Sequence, residues 1–129
     1  MARVPILRQG DVLIASVLEE LRDSDALALQ QQLGARLEQR ATRGVLLDVS
    51  VVETVDSFLG RLLNEIALSA RLLGAATVVV GIRPAVAITL VELGLELRGV
   101  HTALTMEKGM ALLRRLLDEG ARRGPYAGG

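Results

Sequence analysis

The sequence has no cysteine and no tryptophan, and it holds one histidine, one tyrosine and one phenylalanine among 129 residues. Without cysteine the chain can form neither a disulfide framework nor a thiolate metal site, and one histidine cannot make a multi-histidine site. So few aromatic side chains give no stacking platform for bases or for a flat cofactor. We therefore expect neither a metal nor a cofactor.

An excess of charge of one sign is also missing, because fifteen lysines and arginines balance fifteen aspartates and glutamates. Nucleic-acid-binding proteins usually carry a basic excess or patch. The longest uncharged apolar stretch, residues 84–91, is far shorter than the about 20 residues of a transmembrane helix, and the N-terminus lacks a cleavable signal segment. The sequence thus predicts a cytoplasmic protein with no nucleic-acid or membrane partner.

Half of the residues are apolar, and the length suits one domain with one core. Apolar runs rich in β-branched residues and bounded by turn signals predict strands. These runs are residues 4–7, 12–17, 45–50, 75–80 and 103–104. The run at 45–50 is nearly continuous, which is typical of a central strand covered on both faces.

Helix signals fall between these strands. Capping or helix-starting residues predict four helices, which begin at or next to Ser24, Asp56, Pro84 and Thr105. Glycines end the last three of them, at Gly74, Gly94 and Gly120.

Alternation of strands and helices predicts an α/β fold with right-handed crossovers. We expect a mixed, mostly parallel β-sheet with an N-terminal hairpin and about four helices packed against it. Residues 1–120 are expected to form a single domain, and residues 121–129 read as a disordered C-terminal tail.

The loop after the strand at residues 45–50 enters a helix at Asp56 and Ser57. A helix start exposes free N–H groups and the positive end of the dipole, so a phosphate on Ser57 would meet an anion-binding site. The alternative is that Asp56 or Ser57 serves only as a helix cap. The local pattern alone favours capping, the commonest role of these residue types at this position.

Other polar residues give weaker signals for chemistry. Asp48 and Asp56 suggest an acid–base pair, but no nucleophile with its own base lies near them in the sequence. His101 stands alone in a loop before the last strand, which favours a solvent-facing or capping role. The glycines form neither a dinucleotide-binding motif nor a P-loop. We therefore expect no catalytic residues and no enzymatic activity.

Three stretches of the chain, residues 45–50, 55–60 and 80–94, resemble STAS domains, the family named for sulphate transporters and anti-sigma-factor antagonists. The resemblance covers about residues 4–119. In that family the Asp is usually followed by Ser-Ser-Gly or Ser-Thr-Gly, whereas here Phe58 replaces the second hydroxyl residue and the glycine comes at position 60. In this departure from the usual pattern, the chain resembles the scaffold branch of stressosome proteins.

The resemblance implies a STAS fold and a non-enzymatic scaffold that assembles with itself and with sensor STAS paralogues, which carry N-terminal sensory domains. It implies that this large symmetric complex sequesters a switch serine kinase of the GHKL type. Phosphorylation of Ser57 would release the kinase and so control a general stress response. Thr89 matches a second phosphorylated threonine of the sensor paralogues. The residues implied to form the kinase-binding loop are Asp56, Ser57, Phe58, Gly60 and Arg61.

Two questions stay open at the level of sequence. The first is whether Arg61, one turn into the same helix, pairs with a phosphate on Ser57. The second is whether the chain is instead a direct anti-sigma factor antagonist (an anti-anti-sigma factor) that binds an anti-sigma kinase.

Overall fold

The computed structural model describes residues 5–17, 23–39, 42–54, 56–95, 97 and 99–123. The strands in this part of the chain are β1 (Ile6–Gln9), β2 (Val12–Ser16), β3 (Gly44–Asp48), β4 (Ala76–Val80) and β5 (Val100–Ala103). The helices are α1 (Asp23–Gln39), α2 (Ser57–Leu72), α3 (Pro84–Glu92) and α4 (Met106–Arg123). Strands and helices follow each other in the predicted order.

The strands form one sheet in the order β1-β2-β3-β4-β5. Strands β1 and β2 pair antiparallel around a turn at Gly10, whose φ of 61° suits a residue without a Cβ. The pairs β2–β3, β3–β4 and β4–β5 are parallel. The predicted fold class, a mostly parallel sheet with an N-terminal hairpin, is therefore confirmed.

Helices cover the two faces of the sheet unequally. Helices α1, α2 and α3 pack on one face, where Val45 and Leu47 of β3 contribute to a large core. Helix α4 packs on the other face, where Leu46 of β3 and Leu113 of α4 are fully buried. Successive residues of β3 thus enter opposite cores, which explains its nearly continuous apolar sequence.

The C-terminal third of the chain departs from the predicted boundaries. Strand β5 occupies residues 100–103, so His101 lies in the strand, opposite Val78 and exposed, and its predicted place in a loop was wrong. Helix α4 continues through Gly120 to Arg123. A glycine ends a helix by adopting a positive φ, as Gly74 does at 88°, whereas Gly120 keeps helical geometry. Residues 124–129 of the predicted tail lie outside the described residues.

Within the described part of the chain, no helix is both long enough and apolar enough to cross a bilayer.

Candidate functional site

The candidate site lies where the parallel strands end. Because β2 to β5 run in the same direction, their carboxyl ends meet at one edge of the sheet. The connection from β3 to α2 and the connection from β4 to α3 both leave from this edge. Loops at this edge are the usual binding position in open α/β sheets.

Asp56 is the residue that caps α2. Its backbone is extended, with φ −121° and ψ 179°, and its Oδ1 atom accepts a hydrogen bond of 3.0 Å from the backbone N–H of Leu59. Ser57 is the first residue of the helix and is exposed. The structure thus assigns the cap to Asp56 and leaves the Ser57 hydroxyl outside the capping interaction.

The connection between β3 and α2 is held by polar contacts. Oδ1 of Asp48 accepts a hydrogen bond of 2.9 Å from the N–H of Ser50. Nε of Arg83 donates to the carbonyl oxygen of Ser50 at 2.8 Å, and Nη1 of Arg83 lies 3.8 Å from Oε1 of Glu53. Asp48 therefore serves in a turn rather than in an acid–base pair, and Arg83 ties the β4–α3 connection to the loop that leads to Ser57.

In the sequence, Arg83 stands out only as the residue before the helix-starting Pro84. Its partners lie 30 and 33 positions away, at Glu53 and Ser50, and no local pattern encodes such contacts. Gly81 belongs to the same contact: a Cβ there would lie 2.8 Å from the Cβ of Ser50. Its φ of 80° and this close approach explain why the position holds a glycine.

Phe58 and Gly60 fix the start of α2 against the core. Phe58 is half-buried and lines a cleft between α1 and α2. Gly60 is buried, and a Cβ there would lie 2.6 Å from Cδ1 of Leu95 and 3.3 Å from Cδ2 of Leu90. The glycine therefore allows the first turn of α2, which carries Ser57, to pack closely against Leu90 and Leu95 at the end of α3.

Arg61 is exposed one turn after Ser57, on the rim of the same cleft. Its guanidinium forms no hydrogen bond or ion pair with any side chain that the structure describes. Ser57, Phe58 and Arg61 thus lie together on the first turns of α2, whereas Val55 of the same loop lies outside the described residues.

Thr89, the second candidate for modification, lies elsewhere. It is half-buried in α3, and its Oγ1 donates a hydrogen bond of 2.9 Å to the carbonyl oxygen of Ala85. Among the described residues, no group of three or more histidine, cysteine, aspartate or glutamate side chains is placed to hold a metal ion.

Comparison with known proteins places these features in one family. The STAS domain family model matches residues 3–109. A serine-to-glutamate variant of RsbS from Moorella thermoacetica is 42% identical, with a TM-score of 0.79 over 91% of this chain and 99% of that one. A chain from the molecular architecture of the stressosome, a signal integration and transduction hub, is also 42% identical, with a TM-score of 0.76 over 88% of this chain and 98% of that one.

Curated relatives give a second comparison. The RsbT co-antagonist protein RsbRA of Bacillus subtilis (strain 168) is 35% identical over 74 residues, which are 57% of this chain and 27% of that protein. The match therefore spans about a quarter of the relative's length. The family match covers β1 to the start of α4, including the capped start of α2, and the chain belongs to the STAS domain family.

Proposed function

We propose that this protein is a non-enzymatic scaffold and regulator of a stressosome, and that it binds a switch serine/threonine kinase of the GHKL type until phosphorylation of Ser57 releases the kinase. Identity of 42% to RsbS and to a stressosome chain over nearly the whole sequence supports the scaffold role. The similarity to RsbRA, whose name describes a co-antagonist of RsbT, supports antagonism of a partner protein.

The observation that carries this proposal is the division of roles between Asp56 and Ser57. Asp56 supplies the cap, so the Ser57 hydroxyl is exposed and makes no hydrogen bond within the described residues. A kinase can reach such a hydroxyl without unfolding the helix. Apart from the N-cap Asp56, the first turn of α2 contains no acidic residue, and a negative charge at a helix N-terminus interacts favourably with the dipole.

The proposed release is electrostatic. A phosphate adds about −1.5 to −2 charges at neutral pH, and it would do so beside Phe58, a half-buried apolar side chain. A kinase surface that is complementary to an uncharged hydroxyl and an aromatic ring must remove water from the phosphate when it binds. This desolvation costs free energy and weakens binding. In this proposal the chain supplies the acceptor hydroxyl of Ser57, and the kinase catalyses the phosphoryl transfer.

The proposed partners are further copies of this chain and sensor STAS paralogues with N-terminal sensory domains, in one large symmetric assembly that controls a general stress response. The match to about a quarter of RsbRA supports a STAS unit shared with longer relatives. A direct anti-sigma factor antagonist would act without such an assembly. Size-exclusion chromatography with a sensor paralogue should give a megadalton particle, whereas a persistent monomer or dimer contradicts the scaffold role.

Kinase release tests the proposal directly. The unmodified chain, Ser57→Ala and Ser69→Ala are each bound to the kinase, and the fraction that stays bound is measured after ATP is added. Ser69 is a matched control because it is exposed on the same helix. We expect Ser57→Ala to retain the kinase and Ser69→Ala to release it like the unmodified chain. Equal release from all three proteins contradicts the proposal.

A further inference from the structure

The exposed face of α2 carries a row of polar residues that begins at Ser57. Ser57, Arg61 and Glu65 follow each other at intervals of four positions, and all three are exposed. Residues four apart on a helix lie on the same face, with Cβ atoms about 5–6 Å apart. A phosphate on Ser57 would therefore project beside the guanidinium of Arg61.

Arg61 is available for such a partner. Glu65 lies one turn further on, but its Oε2 atom accepts a hydrogen bond of 3.0 Å from Nε2 of Gln30 in α1. The order Arg61 before Glu65 is also the weaker one on a helix, because an acid placed four positions before a base pairs better than the reverse. Among the described side chains, none forms an ion pair with Arg61.

The other charged groups near this edge compete neither for the phosphate on Ser57 nor for the guanidinium of Arg61. Arg83 is already engaged by Glu53 and by the carbonyl oxygen of Ser50. The α1 residues that line the cleft beside Arg61 are Ala26, Leu27 and Gln30, all uncharged. Of the acidic residues at the N-cap and within α2, the carboxylate of Asp56 accepts the Leu59 N–H and the carboxylate of Glu65 accepts a hydrogen bond from Gln30.

Resting on the proposed phosphorylation of Ser57, we propose that Arg61 binds the phosphate and forms an ion pair within α2. The phosphate precedes the arginine by four positions, which is the favourable order, and a guanidinium matches phosphate oxygens with two parallel hydrogen bonds. Phosphorylation then changes two features of the surface that meets the kinase. A charged phosphate replaces the hydroxyl of Ser57, and the guanidinium of Arg61 forms an ion pair with that phosphate instead of facing the kinase.

The test uses the full chain with phosphoserine incorporated biosynthetically at position 57, so that no kinase is needed. The second pKa of the phosphate is measured by ³¹P NMR titration in the unmodified background and in Arg61→Gln and Arg71→Gln. A nearby cation stabilises the dianion and lowers this pKa, so its removal raises the pKa. We expect Arg61→Gln to raise this pKa by about 0.2–0.4 of a unit and Arg61→Lys to raise it by less. Arg71→Gln, in the last turn of the same helix, should leave it unchanged.

Two results overturn the pairing. Either the pKa of the phosphate does not change in Arg61→Gln, or it changes equally in Arg61→Gln and Arg71→Gln, which indicates a long-range effect of net charge rather than an ion pair. Circular dichroism establishes that each variant keeps its helices. The outcome is separable from the proposed function. If the phosphoserine chain still binds the kinase fully while Arg61→Gln raises the pKa, the release mechanism fails and the pairing stands. If phosphorylation releases the kinase while Arg61→Gln leaves the pKa unchanged, only the pairing fails.

Discussion

Ser57 and Thr89 are both hydroxyl residues on helices, but their surroundings differ in accessibility, hydrogen bonding and position relative to the helix dipole. Ser57 is exposed in the first turn of α2 and makes no hydrogen bond within the described residues. Thr89 is half-buried, donates to the carbonyl oxygen of Ala85, and lies in the second half of α3. A negative charge is favoured at the start of a helix and disfavoured towards its end. We therefore expect phosphorylation to disturb the helix less at Ser57 than at Thr89.

The largest expected effect is on kinase binding at Ser57. Ser57→Asp introduces a charge at the exposed start of α2, and we expect the affinity for the kinase to fall at least about tenfold, because a charge added to a docked surface must be desolvated when the kinase binds. Isothermal titration calorimetry measures the affinity. Ser57→Asn, similar in size but uncharged, is the matched control. Equal losses in both variants indicate that size rather than charge controls binding.

The close packing of Gly60 beneath Ser57 predicts the next effect. Gly60→Ala places a methyl group against the side-chain ends of Leu95 and Leu90. Overpacking costs about 1–3 kcal/mol, and the helix preference of alanine over glycine offsets about 0.5–1 kcal/mol of it, so we expect a net loss of about 1 kcal/mol in the free energy of unfolding. Gly34→Ala in α1 is the control, because a Cβ there meets no atom within 4 Å and alanine is favoured over glycine in a helix by about 0.5–1 kcal/mol. Urea denaturation should show opposite signs. Stabilisation by Gly60→Ala contradicts the close approach of α2 to α3.

Charged substitutions at the two hydroxyls test the comparison itself. Thr89→Asp loses the hydrogen bond to Ala85 and places a charge in the second half of α3, so we expect it to lower the free energy of unfolding by about 1–2 kcal/mol. Ser57→Asp lies in the first turn of α2 and should change stability by less than about 0.5 kcal/mol. Urea titrations of both variants measure the difference. Equal destabilisation removes the distinction between the two positions.

The last prediction concerns the N-cap residue next to Ser57. Asp56→Ala removes the acceptor for the Leu59 N–H, and loss of an N-cap typically costs about 1 kcal/mol. Asp56→Asn keeps an oxygen acceptor and should retain most of the stability. Thermal unfolding of both variants measures the cost. If Asp56→Ala is as stable as the unmodified chain, Asp56 is not the residue that caps α2.

The sequence was sufficient for features that depend on local patterns. Alternating strand and helix signals predicted the order of elements, and the proline at position 84 marked the first residue of α3. The cap of α2 was predicted only as a choice between Asp56 and Ser57, because both residue types cap helices. The extended backbone of Asp56 and its hydrogen bond from the Leu59 N–H identify Asp56 as the cap.

Features that depend on contacts between distant segments were not predictable. The role of Gly60 depends on Leu95, and the role of Arg83 depends on Ser50 and Glu53. Gly120 is a second such case: its residue type predicts the end of a helix, whereas α4 continues to Arg123. Local residue type sets a preference, whereas tertiary contacts determine which preference is realised.

The central claim is that Ser57, and not Thr89, receives the phosphate. Its most direct test is incubation of the chain with a GHKL-type switch kinase and ATP, followed by intact-mass and peptide mass spectrometry. The account predicts a single added phosphate, found on the peptide that contains Ser57, and an unmodified peptide around Thr89. A phosphate on Thr89, with Ser57 unmodified, contradicts it.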